Sequence, residues 1–276
     1  MSNIELISLV VVGFVAGGMG GLLGIGGSIV MIPVLTLVFG HNQHLAQAAA
    51  MIVNIFVAVP AVIQHHRAKA VHWDSVRYIL PFGIVFILVG VELSNKIDGP
   101  LLQRLFGAFL LYVIYMNFMK LIDKKDDPTE KDLNVRWYSC GFVGSITGFC
   151  AGLLGIGGGI ITVPLLHRVC RMPFRQCIAT SAALMCMTAL IGAFFKNRAL
   201  GDMAVNGVNS AVSESLIIAA CFLPTAILGG MLGAKYTHRL PLKWLRVTFI
   251  LLLCWASWQM LGLREIFGNT ANAFPY

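Results

Sequence analysis

The nineteen residues from Leu216 to Ala234, LIIAACFLPTAILGGMLGA, carry no charge. Stretches of similar length and character follow one another along the chain, separated by short polar breaks. A helix needs about 20 apolar residues to cross the hydrocarbon core of a bilayer. Backbone polar groups cross that core only inside helices or closed barrels, and the alternating ten-residue segments of a barrel are absent here. The chain therefore reads as an all-α polytopic membrane protein. Composition agrees: 58% of residues are hydrophobic and 12% charged, and mean hydropathy is +0.81, where a soluble domain has about 25% charged residues. The net charge of +8 fits the same class, because Lys and Arg gather in cytoplasmic loops. A lipid bilayer is the expected partner and a nucleic acid is not. The opening MSNIELISLV has no basic n-region and no small-residue cleavage site, so it reads as a retained helix.

A repeat narrows the architecture. Residues 20–33 read GGLLGIGGSIVMIP, and residues 151–164 read AGLLGIGGGIITVP. At an offset of 131, Gly13, Gly17 and Gly21 meet Gly144, Gly148 and Gly152, Pro33 meets Pro164, and Arg67 meets Arg198. Further on the offset becomes 143, pairing Pro81 with Pro224 and Gly90 with Gly233. Two repeats result, 1–121 and 137–262, joined by a charged connector (122–136) and followed by a short tail (263–276). Each repeat reads as a glycine-broken element and three spans. In the first these are 4–39, 44–64, 76–94 and 101–121; in the second, 137–166, 174–195, 211–234 and 242–262.

Charge then chooses the topology. If each glycine-bearing element crosses once, the 20 Lys and Arg residues divide 11 to 9, which is no bias. If each dips in and returns, only Lys96, Arg104, Lys196, Arg198 and Arg264 fall on one side, and the other fifteen share the opposite side. The positive-inside rule selects the second arrangement. The two repeats then have inverted topology, each a glycine-broken helical hairpin plus three transmembrane helices. Inverted repeats are a recurring plan of secondary transporters. Both termini are expected to be extracytoplasmic and the connector cytoplasmic, in a multi-pass protein of the cell inner (plasma) membrane.

The glycine clusters are the first candidate site. Glycine costs about 1 kcal/mol relative to alanine inside a helix, so GIGG interrupts a helix, and such a break at membrane depth must line a cavity or be buried in protein. The helix after each break presents free N–H groups and the positive end of its dipole, which suits a small oxyanion. This assigns Gly24, Gly26, Gly27 and Ser28 from the first repeat, and Gly155, Gly157, Gly158 and Gly159 from the second. The flanking stripe Gly13, Gly17, Gly21 and its copy read as close helix packing instead. The dinucleotide fingerprint fails, because Ile29 stands where its third glycine belongs. Polar side chains on the next helix, Asn54 and Thr180 with Ser181, are further substrate-binding candidates. Gln64, Arg67 and Arg198, which close that helix in each repeat, are candidates for an anion-attracting vestibule or gate. Seven cysteines without a C-x-x-C pair read as buried small hydrophobes. No triad, paired carboxylates, phosphate-binding loop or metal-ligand spacing appears in the sequence; no catalytic residue, metal or cofactor is expected.

The duplicated GLLGIGGSIVMIPVL and GLLGIGGGIITVPLL, each opening a half of four apolar elements, resemble the sulfite exporter TauE/SafE family across essentially the whole chain. The resemblance implies a membrane transporter for small sulfur-containing anions such as sulfite, thiosulfate or an organosulfonate like sulfoacetate, working as an exporter. The first copy departs from the second in Ser28 for Gly159, Met19 for Cys150, and Ala49-Ala50 where Thr180-Ser181 stand, so a shared site would be chemically asymmetric. The expected mechanism is alternating access by rocking of one half against the other, with no enzyme activity. An anion channel and a membrane redox protein using Cys and His residues are the alternatives. The glycine-lined faces leave room for a homodimer.

Overall fold

The structure, a computed structural model, describes residues 3–23, 26–122, 128, 133–204, 211–236 and 242–262. Most of the connector, the whole 263–276 tail and Gly24 lie outside the described residues. All regular structure among those described is helical. In chain order the helices are α1 (Asn3–Leu23), α2 (Ser28–Pro33), α3 (Gln43–Arg67), α4 (Trp73–Lys96), α5 (Gly99–Ile122), α6 (Trp137–Leu154), α7 (Gly159–Val169), α8 (Phe174–Ala204), α9 (Ala211–Tyr236) and α10 (Leu242–Met260), with a π turn (Val34–Val38) extending α2. Among the described residues six helices are long and apolar enough to cross a membrane: α3, α4, α5, α6, α8 and α9.

Local chemistry explains the boundaries. Asn42 opens α3 by accepting from the His44 N–H at 2.9 Å, an N-cap of the ordinary kind. The His72 ring opens α4 by accepting from the Ser75 N–H. Helix α8 continues to Ala204, beyond the expected 195, because its polar KNR segment finds partners. Asn197 donates to the Ala193 carbonyl, and Ser215 of α9 donates to Asn197 Oδ1. The glycine breaks end α1 and α6, and the chain doubles back. A Cβ on Gly27 would meet the Ala16 backbone at 3.2 Å, and one on Gly158 the Thr147 carbonyl at 3.4 Å. Eleven residues of continuous helix would hold each pair about 16 Å apart.

Packing crosses between the repeats. Helix α1 lies against α9, and α6 lies against α4. Gly17 approaches the Ala226 backbone and Gly229 the Gly18 N–H; equivalently, Gly148 approaches Gly83 and Gly90 approaches Gly152. In both pairs residue numbers rise together along the contact, so the helices run parallel. The small-residue stripes thus act as a packing surface, letting backbones touch where no hydrophobic force drives helix association in lipid. Helices α3 and α8 pack against each other, and α5 pairs with α10, where the Ser257 hydroxyl donates to the Gly107 carbonyl at 2.9 Å. Large apolar side chains such as Phe14, Val85, Val89, Phe194, Leu228 and Trp255 remain on the outside, where lipid would meet them.

Two ends of the bundle can be told apart. One gathers His41 with Glu214 at 3.3 Å, and His44 with Ile97. The other gathers His72 with Thr180, and Asn134 with Cys170.

Candidate functional site

The two glycine breaks meet at the centre of the bundle. Ser28 of the first donates its hydroxyl to the Ile156 carbonyl of the second at 3.1 Å. Between them lie Asn54 on α3 and Met185 on α8, which occupy equivalent positions in the two repeats at the offset of 131. A Cβ on Gly26 would fall 2.8 Å from Met185 Sδ and 2.9 Å from Asn54 Oδ1; one on Gly157 would fall 3.0 Å from Asn54 Nδ2 and 3.1 Å from Met185 Cγ. Both glycines also sit at positive φ, +77° and +70°, a region L side chains enter at a cost of about 1–2 kcal/mol. Glycine is required at these two positions twice over.

Asn54 is the polar pivot. Its Oδ1 accepts from the Gly27 N–H at 3.1 Å. Its Nδ2 is fully buried, faces Gly157 and has no hydrogen-bond partner. Neither break is closed by a capping side chain. The first carbonyls accept from residues Val30 and Met31, and from Ile161 and Thr162. The N–H groups of Ser28, Ile29, Gly159 and Ile160 therefore have no carbonyl within their own helices. These four donors belong to two breaks that touch through Ser28 and Ile156, with the unpartnered Asn54 amide beside Gly157; free donors at a helix start suit a small oxyanion.

The locus is tightly closed. The void beside Gly157 and Gly158 measures about 10 Å³ and is lined by Thr147, Thr162, Thr188, Ile79, Gly83 and Leu184, the lower limit for one water molecule. Thr188 donates to the Gly157 carbonyl at 3.0 Å and Thr162 to Gly158 at 2.8 Å. Sequence reasoning missed Met185 and Thr188; the 131-residue offset, which carries Asn54 onto Met185, was the available signal.

The remaining candidates are dispersed. Gly155 sits at φ +71° with Gln47 packed on its bare face. Thr180 accepts from the His72 N–H at 3.1 Å, and Ser181, fully buried, donates to the Ile178 carbonyl of its own helix. Gln64 is half-buried and Arg67 exposed, at the end of α3. Arg198, at the opposite end of the bundle, lines a cavity of about 340 Å³ with Glu92, Asn95 and Asp202. Cys140, Cys170 and Cys177 are buried in one apolar cluster.

Comparison with known proteins gives the context. The profile described as "Sulfite exporter TauE/SafE" matches residues 9–260. A probable membrane transporter protein of Methanocaldococcus jannaschii is 30% identical over 87% of this chain and 89% of its own length. A second, YunE of Bacillus subtilis, is 25% identical over 91% and 96%. The probable membrane transporter MamO of Paramagnetospirillum magneticum is 24% identical over 93% of this chain, which spans only 44% of MamO. No solved structure matches. The helices long enough to span a bilayer, the two facing breaks and the profile match converge: this chain belongs to the sulfite exporter TauE/SafE family of membrane transporters.

Proposed function

We propose that the protein is a secondary transporter that exports a small sulfur-containing anion, such as sulfite, thiosulfate or an organosulfonate, across the inner (plasma) membrane. The anion is held between the two glycine breaks by the Ser28, Ile29, Gly159 and Ile160 N–H groups and by Asn54. The observation that carries this reading is the Asn54 amide, fully buried, unpartnered at Nδ2 and set between two uncapped helix starts. A buried amide donor without an acceptor is costly, and an oxyanion supplies that acceptor.

Inverted topology is the second part of the proposal. Its support is that α1 runs parallel to α9, which starts beside His41, and that α6 runs parallel to α4, which starts beside Thr180. Each glycine-bearing element then begins and returns at one end, the two from opposite ends. Cysteines introduced at the exposed positions Asn42 and Arg171 should label from opposite faces of the membrane; labelling from one face would remove the inverted plan.

Alternating access follows from a site closed at its centre. The bodies that rock would be composite, one built on α1 with α9 and the other on α6 with α4, because close backbone contacts bind each of those pairs together. In liposomes the protein should take up sulfite, thiosulfate or sulfoacetate saturably and support counterflow. Non-saturating flux without counterflow would mean a channel, and no flux of these or of sulfate would sink the anion reading.

A further inference from the structure

Lys196 is 1% exposed, and its side chain is unlike any other cation among the described residues. Its ammonium has three protons to donate and three neutral acceptors around it: Ser94 Oγ at 2.6 Å, Asn95 Oδ1 at 3.1 Å and His44 Nδ1 at 3.2 Å. The His44 ring donates from Nε2 to the Ile97 carbonyl at 3.1 Å, which leaves Nδ1 free to accept from the lysine. Among the described residues no carboxylate lies within ion-pair distance of Lys196; Glu92 pairs with Lys96 on the surface and Glu214 with His41. A buried charge with dipoles but no counter-ion is expensive, and in a membrane-spanning helix it marks a substrate or ion path.

Two connections give that path a direction. Asn95, which holds the ammonium, also lines the cavity of about 340 Å³ that Arg198 shares. On the inner side, Ser94 donates to Gln47 Oε1 at 3.3 Å, and Gln47 packs against Gly155 at the second break. The equivalent position in the first repeat is His65, also buried, so a nitrogen base occupies this place at both ends of the bundle.

We infer that Lys196 is an anion-binding subsite between the Arg198 cavity and the central glycine breaks, its ammonium taking the charge of a small oxyanion as Asn95 gives way. The inference rests on the anion-transport reading, and one set of liposomes separates the two. Wild-type protein that moves none of sulfite, thiosulfate, sulfate and sulfoacetate ends the transport reading itself. With a transporting wild type, Lys196→Gln should raise the KM for the transported anion roughly tenfold or more, and Lys196→Arg should stay within about threefold. Asn95→Asp supplies a nearly isosteric carboxylate beside the ammonium, a change that favours folding, and should raise KM as Lys196→Gln does. If Lys196→Gln fails to fold, Asn95→Asp decides. A KM within about twofold of wild type in Asn95→Asp and in any folded Lys196→Gln would overturn the inference, as would equal loss in Lys196→Gln and Lys196→Arg, the mark of a purely structural lysine.

Discussion

At the first break Gly27 keeps φ −83° and gives its N–H to Asn54. At the second, Gly158 sits at φ +85°, and the polar partners are the hydroxyls of Thr162 and Thr188, which stand where the first repeat has Met31 and Val57. The duplicated phrase has kept the fold-back and the glycine at the tip (Gly26 and Gly157 both with positive φ) while the walls diverged. The lesson is that two kinds of constraint act here. Backbone geometry at the tips disfavours a side chain in both copies, whereas the donors and acceptors around them were free to be shared out unequally.

That comparison can be broken most severely at the tips. Gly26→Leu and Gly157→Leu should each reduce liposome uptake by a factor of roughly a hundred or more, because the new side chain meets Asn54 and Met185 at a backbone angle it resists. Gel filtration should still find folded protein. Uptake surviving in one variant alone would make the tips functionally unequal. A smaller, asymmetric effect is expected one layer out. Asn54→Leu should lower uptake by about tenfold or more, since it strands the Gly27 N–H and removes the orphan donor. Met185→Asn, which makes the two repeats alike, should keep uptake within about threefold. The smallest effect tests the walls. Thr188→Val should cost about 1 kcal/mol of stability by freeing the Gly157 carbonyl, seen as a lower Tm, while Val57→Thr in the other repeat should change Tm little.

Much of this was legible in the letters because glycine and apolar runs report directly on backbone demands. The break after Leu154, the helix start at Gly159 and the packing role of Gly17 and Gly148 all follow from what glycine permits. Partner choice was not legible. An apolar stripe on α1 says that a close neighbour exists, yet nothing in residues 13–21 says that it is α9 of the other repeat. Side-chain destinations were equally hidden: the Thr180 hydroxyl meets the His72 N–H, over 100 residues away in sequence. Lys196 read as one of five charges on the sparse side, because a lysine near a helix end normally snorkels to water. Only its neighbours, contributed by α3 and α4, reveal that it is buried.

The cross-repeat clasp also orders events in time. Helix α6 can close on α4 once the chain is made to Leu154, since the glycine contacts between them lie between Ile79 and Leu153. The matching face of α1 has no such early partner. Gly13 and Gly17 wait for Phe222 and Ala226, so α1 is made well before the helix that seats it. Through most of synthesis its bare glycine face stays open to lipid or to another chain, and a truncation before α9 should leave the N-terminal element as the part most exposed to misassembly and quality control.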